Sequence, residues 1–408
     1  MYSFSKAVNS MHSEDIKQLM KQSSGKSMIS FAGGMPNNDL FPVKQIDEIY
    51  NSLPDHLKKL GFQYGPTSGY PPLIRSLKTY LQKKGLPLKE NKILITTGSL
   101  QAISIITQEF VNEGDIILTE NPSFVGALSV FETYGAEIHG IPIDENGIII
   151  DALKEKIASL VKKPKLLYVT PNYHNPAGII YSPKRKKELL EVLENTGIIL
   201  IEDDAYSDLY FKDEEQYLTK SMKSCDVPNV DIIYTGSFSK IVGPGFRLGY
   251  MLASPEIFEK AETVKQALDA CTSNFMQILA NEFMVQNKLE PYLKFLRKEY
   301  AERKDMLQQS LEKYMPKEIT WNEPKGGFYI WLKLPQHISS TDIFKESVKK
   351  GVVFVTGRTF DPASKKDDRL RLSFSNMPRD TIEKGVEILA EAIQKVLNFD
   401  SKIISTEQ

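Results

Sequence analysis

The chain predicts an α/β protein, a large doubly wound and mostly parallel sheet joined to a smaller α+β unit. Short apolar runs at 93–95, 116–118, 166–169, 198–201 and 232–234 are each bounded by turn residues, which marks buried strands. Helical patterns at 100–111, 124–134, 152–161 and 184–194 alternate with them, and strands interleaved with helices build parallel crossovers. Beyond about Pro291 the pattern changes. Strands at 326–332, 352–356 and 369–374 are interleaved with helices at 343–350 and 381–398.

The bounds are consistent with that reading. A chain of 408 residues, 41% hydrophobic and 25% charged, buries a large core and predicts two domains. The expected division is 1–45 as an N-terminal arm and part of the small domain, 46–290 as the large domain, and 291–408 as the small domain. A net charge of -1 gives no general basic surface and argues against a nucleic-acid partner. Cys225 and Cys271 are too few for a disulfide framework or a four-cysteine metal site, and the five histidines fall at no metal-ligand spacing. The first six residues lack an apolar signal core, and no run is long enough for a bilayer. A cytoplasmic protein with no membrane partner is the expectation.

Taken in order, residues 13–21 read as a short amphipathic helix. Gly33-Gly34-Met35-Pro36-Asn37 then marks a tight bend, either a plain turn or a place where backbone lies against a ligand. The loop 62–73 is dense in Gly and Pro and carries Tyr64, a packed tyrosine or a ligand hydroxyl; a helix follows at 73–82. In parallel sheets ligands collect at the carboxyl ends of strands. That rule nominates 97–99, 121–122, 172–178, 202–206 and 237–240. Ser182-Pro183 is a helix start, with a hydroxyl cap and proline at the first helical position. No G-x-G-x-x-G follows the first strand, so a nicotinamide cofactor is unsupported. Helices are expected at 257–286 and 292–312, the second heavily charged and partly solvated. The tail after Asn398 is expected to fray.

Each strand end carries distinct chemistry. Thr97-Gly98-Ser99 opens a helix, so the amides of Ser99 and Leu100 can hold a phosphate at its positive end; a simple Ser cap is the plain alternative. Asn175, in the Asn172 to Gly178 loop, can aim its amide at a ring oxygen. Glu202-Asp203-Asp204 ends an apolar strand, and alternation sends Asp203 to the side opposite its neighbours. In Gly236-Ser237-Phe238-Ser239-Lys240 a lysine sits among small hydroxyl residues, with Arg247 following. Beside another cation and out of water, a lysine becomes an amine nucleophile. Alone, Ser-x-Ser-Lys is equally a strand-end loop. Arg369, Arg371 and Ser373 share one strand face, either an exposed basic face or a clamp for a carboxylate.

The order Ala-Gly-Gly-x-Pro-Asn, Tyr-x-Pro-x-x-Gly, Thr-Gly-Ser, Asn-Pro-x-Gly, Glu-Asp-Asp-x-Tyr, Ser-x-Ser-Lys, Gly-x-Arg-x-Gly and Arg-x-Ser-Phe-Ser resembles the class I/II aminotransferases of fold type I. More narrowly, it resembles the subgroup of 2-aminoadipate and kynurenine aminotransferases, from about Ile16 to the last helix. The resemblance implies pyridoxal 5'-phosphate as cofactor, held by 46–290, with an amino acid and a 2-oxo acid (2-oxoglutarate in most relatives) as ping-pong substrates. It implies that Lys240 carries the cofactor and later moves the α-proton, and that Asp203 pairs with the pyridinium nitrogen. Asn175 and Tyr206 would bond the ring oxygen, with Phe124 stacked on the ring. Ser99, Leu100, Ser237, Ser239 and Arg247 would bind the phosphate. Arg371 would take the substrate carboxylate, with Gly34 at the same end. Tyr64 would reach the phosphate of a neighbouring subunit, which implies a homodimer with shared sites.

Three positions depart from the pattern: Leu100 where many relatives carry Gln or Glu, Phe124 for the commoner Tyr, and Ile16-Lys17 for Ile-Arg, an arginine that can contact the substrate side chain. The preferred donor stays open. So do β-elimination or decarboxylation on the same cofactor, and a regulatory module of this fold, for which the start of the chain leaves no room for a DNA-binding segment.

Overall fold

A computed structural model describes residues 2–9, 28–225, 227–363 and 365–406. The helix expected at 13–21, and Ile16-Lys17 with it, lies outside the described residues. Fourteen strands are present among them: β1 (Ile29–Ser30), β2 (Lys92–Thr96), β3 (Ile116–Asn121), β4 (Glu137–Asp144), β5 (Gly147–Ile148), β6 (Leu166–Val169) and β7 (Ile199–Asp204), then β8 (Ile232–Ser237), β9 (Gly249–Ala253), β10 (Thr320–Trp321), β11 (Tyr329–Lys333), β12 (Val352–Val353), β13 (Val355–Thr356) and β14 (Arg369–Ser373).

Eight strands form the main sheet, in the order β2-β9-β8-β7-β6-β3-β4-β5. Its centre is parallel, β8 to β7 to β6 to β3 to β4, while β9 runs antiparallel between β2 and β8. Alternate residues of one strand feed two separate cores. Leu166 and Tyr168 pack with the helices Ser99–Phe110 and Val125–Thr133 on one face; Leu167 and Val169 pack with Ile150–Ser159 and Pro183–Leu193 on the other. This two-sided burial is why the central strands read as continuous apolar runs. Ser182 caps the helix Pro183–Leu193 by accepting from the Arg185 amide, as expected.

A four-stranded antiparallel sheet, β10-β11-β14-β13, follows the helix Leu289–Tyr314, whose first turn contains Pro291. The segment expected as one strand at 352–356 is two. Val352–Val353 pairs in parallel with Ile29–Ser30, while Val355 pairs with Arg371 in the other sheet. The N-terminal segment is thereby stitched to the C-terminal part, and the Ser373 amide donates to Phe31 O at 2.9 Å.

Other differences have local causes. The helix expected at 257–286 breaks into Pro255–Asp269 and Asn274–Val285. Ala270 takes φ 59° and Ser273 caps the second helix through the Met276 amide, so the Thr272-Ser273 pair is a start signal inside an apolar pattern. The last helix runs Arg379–Thr406, so helical backbone continues past Asn398. Strands β4, β5 and β9 and the helices Val43–Ser52 and Asp55–Gly61 were not expected. Strand β4, next to the two-residue edge strand β5, contains Gly140 and Pro142, and each of the two helices follows a proline, which reads as a loop.

Candidate active site

Four of the five nominated strand ends converge on one cavity of about 490 Å³ at the carboxyl edge of the main sheet, closed on its far side by residues of the two smaller sheets; the fifth, Asn121-Pro122, borders a different cavity. Lys240 follows the end of β8. Its Nζ donates to the carbonyl of Gly34 at 2.8 Å and lies 5.8 Å from the Tyr206 ring centroid and 5.6 Å from that of Phe328. Burial, then the charges of Arg371 and Arg247, push this amine down from 10.5 to about 8. A side chain on Gly34 would overlap the Tyr329 hydroxyl, so glycine is what lets its carbonyl approach the lysine.

Alternation along β7 separates the three carboxylates as expected. Glu202 accepts from Ser221 Oγ at 2.6 Å and the Met222 amide at 2.9 Å, and Asp204 from Tyr234 Oη at 2.6 Å. Asp203 lines the cavity. Its Oδ2 accepts from Tyr168 Oη at 2.7 Å and its Oδ1 from Thr235 Oγ1 at 3.0 Å. Burial pulls this carboxyl up to about 6 against those two hydrogen bonds, which hold it down. It is a buried carboxylate waiting for a positive partner.

Arg371 is buried rather than part of an exposed basic face. Nη1 donates to Asn175 Oδ1 at 2.8 Å and Nη2 to Ala32 O at 2.6 Å, while the Tyr329 and Phe360 rings flank the guanidinium at 4.4 and 4.9 Å. Its buried Nε has no partner among the described residues. Arg369, on the same strand, pairs with Asp368 and borders a different cavity.

The opposite end of the cavity is an anion cup. The helix Ser99–Phe110 starts from Gly98 at φ 83°, so glycine and not a serine side chain caps it. The first amides, those of Ser99 and Leu100, have no acceptor inside the helix. A β-carbon on Gly98 would sit 2.8 Å from Arg247 Nη2, and one on Gly249 would sit 2.5 Å from the Ser99 nitrogen. Arg247, itself at φ 49°, is anchored through Nη1 to Pro244 O at 3.2 Å. Ser237 and Ser239 complete the cup, with Ser237 Oγ accepting from the Ser239 amide at 3.1 Å. Phe124 also lines the cavity, and Tyr206 Oη lies 3.0 Å from Tyr329 Oη.

Tyr64 lies outside this cavity, as do Asn121, Pro122 and Arg369; it is 81% exposed on the surface. Residues that sequence reasoning missed are Tyr168, Thr170, Thr235 and Tyr329. Thr235 could have been found, since it stands directly beside Asp203 in the register of β8 against β7. Tyr329 follows the Gly326-Gly327-Phe328 run, a signal of close backbone approach.

An amine of lowered basicity, a buried carboxylate, an aromatic wall and an anion cup fit a phosphorylated pyridine aldehyde, each group matched by one feature of this chain. The comparisons with known proteins agree. Residues 28–389 match the family model "Aminotransferase class I and II", and the chain belongs to that family. It is 35% identical to aromatic-amino-acid aminotransferase 1 of Thermococcus litoralis over 96% of this chain and 94% of that one. Against the 2-aminoadipate transaminase of Thermus thermophilus it is 32% identical, over 97% of each chain. The solved kynurenine aminotransferase of Pyrococcus horikoshii, in complex with PMP, superposes with a TM-score of 0.91 at 36% identity, covering 96% of this chain and 97% of that one. The protein is a pyridoxal-phosphate-dependent aminotransferase with the α/β architecture of fold type I.

Proposed function

We propose that this aminotransferase moves the α-amino group of an L-amino acid to a 2-oxo acid, 2-oxoglutarate for preference, in two half-reactions at one site. The observation that carries the reading is Lys240, a partly buried amine of lowered basicity that shares its cavity with the Arg371 guanidinium and the anion cup. Pyridoxal phosphate, when bound, supplies a carbonyl carbon for exchange of amines and a protonated ring that draws electrons from the substrate α-carbon. Ser99, Leu100, Ser237, Ser239 and Arg247 hold the phosphate, and Asp203 keeps a proton on the ring nitrogen. With its Oδ1 occupied by Arg371, Asn175 has its amide hydrogens left for the ring oxygen, where Tyr206 is the second donor. Arg371 grips the α-carboxylate, with its unpartnered Nε available. Lys240 Nζ takes the proton from the substrate α-carbon and would deliver it to the carbon supplied by the cofactor's carbonyl, across the shared nitrogen.

The side-chain end of the cavity supports an apolar or aromatic donor. Met35, Phe344, Val353, Phe354 and Phe360 line it, and its lining cations among the described residues are Lys240, Arg247 and Arg371, all with other roles in this reading. Ser30 and Thr359 offer hydroxyls to the distal carboxylate of 2-oxoglutarate. The reading also takes 46–290 as the large domain, with 1–45 and 291–408 as arm and small domain; the separate sheets support it. A homodimer is part of it, Tyr64 serving the phosphate end of its partner's site. The exposed Phe62 and Tyr64, with Phe62 stacked on Phe275 at 5.7 Å, support that arrangement. A cytoplasmic location is also part of the reading, and the two free cysteines, Cys225 and Cys271, support it. No helix among the described residues is long and apolar enough to cross a membrane.

The test is to add single amino acids to the loaded enzyme without an acceptor and follow the cofactor absorbance. Apolar and aromatic donors are expected to bleach it with release of the matching 2-oxo acid, and Lys240→Ala is expected to abolish the change. Release of pyruvate and ammonia without keto-acid exchange, or full turnover by Lys240→Ala, would overturn the reading.

A further inference from the structure

We propose that Tyr168 is a positioning residue for this reaction: its hydroxyl, backed by Thr170 and the buried Glu120–His174 pair, holds the Asp203 carboxylate in place and sets how firmly it grips a protonated ring nitrogen. The inference rests on the role given to Asp203 above. In register Tyr168 stands opposite Ile201, so Asp203, two residues on, is its diagonal neighbour on the same face. Its ring packs edge-on against Phe131 at 5.7 Å, which fixes where the hydroxyl points. That hydroxyl donates to Asp203 Oδ2 at 2.7 Å and accepts from Thr170 Oγ1 at 3.3 Å.

Behind it the chain of contacts continues into wholly buried groups. The Thr170 amide donates to Glu120 Oε2 at 2.9 Å and His174 Nε2 to the same oxygen at 3.0 Å. The Ala177 amide donates to His174 Nδ1 at 3.1 Å, so Nδ1 is the unprotonated nitrogen and Nε2 carries the hydrogen. Tyr181 Oη donates to Glu120 Oε1 at 2.7 Å. None of these groups touches the cavity except Thr170, and none has a part in the chemistry described above. The negative neighbours of Asp203, which are Asp204 and Glu120, oppose its ionisation, while Tyr168 and Thr235 favour it. Burial keeps the Tyr168 phenol protonated and therefore a donor. Without that hydroxyl Asp203 keeps Thr235 as its hydrogen-bond donor among the described residues.

The experiment is Tyr168→Phe, which keeps the ring and drops the hydroxyl, alone and combined with Asp203→Asn. Loss of one hydrogen bond to a charged group is expected to weaken cofactor binding roughly tenfold, read by titrating the cofactor-free protein, and to lower kcat by a similar factor with KM for the donor held within about twofold. In the Asp203→Asn background the same change is expected to add less than about twofold, since its target is gone. Thr235→Val, which removes the other donor, is expected to repeat the pattern and decides the matter should Tyr168→Phe not fold. Unaltered affinity and kcat in Tyr168→Phe, or an equal loss in both backgrounds, would overturn the proposal while leaving the role of Asp203 intact. An Asp203→Asn enzyme that binds and turns over like the parent would remove both.

Discussion

Lys240 and Asp203 are held against their solution preferences, and the cost falls on the cofactor-free protein. The lysine has its folded pKa at about 8, below the ordinary 10.5. Below pH 8 both folded and unfolded states are protonated, and the folded state carries the full penalty of a partly desolvated cation near two arginines. Between about 8 and 10.5 the folded state has already lost the proton, so the penalty lifts as pH rises. Lys240→Met, its thioether lying between the Tyr206 and Phe328 rings, is therefore expected to stabilise the cofactor-free protein at pH 7 by about 1–3 kcal/mol. The gain should shrink above pH 8; urea unfolding at pH 7 and 9.5 checks both statements. At the other end of the cavity, Arg371 uses its planar fork toward Asn175 and Ala32 at once. A lysine there keeps the charge but loses the geometry, so Arg371→Lys is expected to raise KM for every donor roughly tenfold to a hundredfold. Steady-state kinetics with three unlike donors checks it.

At the scale of elements, the anion cup depends on a helix that starts from a glycine in a backbone region closed to other residues. Gly98→Ala should both strain the backbone, by about 1–3 kcal/mol, and push Arg247 aside, with a lower Tm and weaker cofactor binding measured together. Ala270 is the reverse case, an L-residue at φ 59° in the break before Asn274. Ala270→Gly is expected to raise stability by about 0.5–1 kcal/mol in urea unfolding, because strain relief outweighs the added freedom of the unfolded chain. These two positions also show what the sequence could and could not disclose. The strands β3, β6, β7 and β8 were legible because burial on both faces leaves a bare apolar signal, and Asp203 could be assigned a face from alternation alone. The break at Ala270 was only half legible: the Ser273 cap is a local signal, but Asp269, which ends the preceding helix, also accepts from Thr97 Oγ1 at 2.9 Å and Gln101 Nε2 at 2.7 Å, contacts that only the fold brings together. Tyr168 was hidden in the same way, its hydroxyl meaningful only once β6 is known to lie beside β7.

At the scale of the whole molecule, the reading of Tyr64 makes a prediction that a single chain cannot satisfy. Lys240→Ala and Tyr64→Ala should each be impaired alone, yet mixing them under exchange conditions should restore activity. One site of the hybrid then has the lysine of one protomer and the tyrosine of the other. No recovery, with exchange verified by native mass spectrometry, would place Tyr64 outside the partner's site. The pairing of β1 with β12 has a different outcome, one in time. Synthesis from the N-terminus delivers the amine and the anion cup well before residue 352 exists, whereas the arginine clasp and the strand that anchors Gly34 need nearly the entire polypeptide. In chain order, then, the groups proposed to hold the coenzyme in one protomer all precede Arg371, the group proposed to hold the substrate carboxylate.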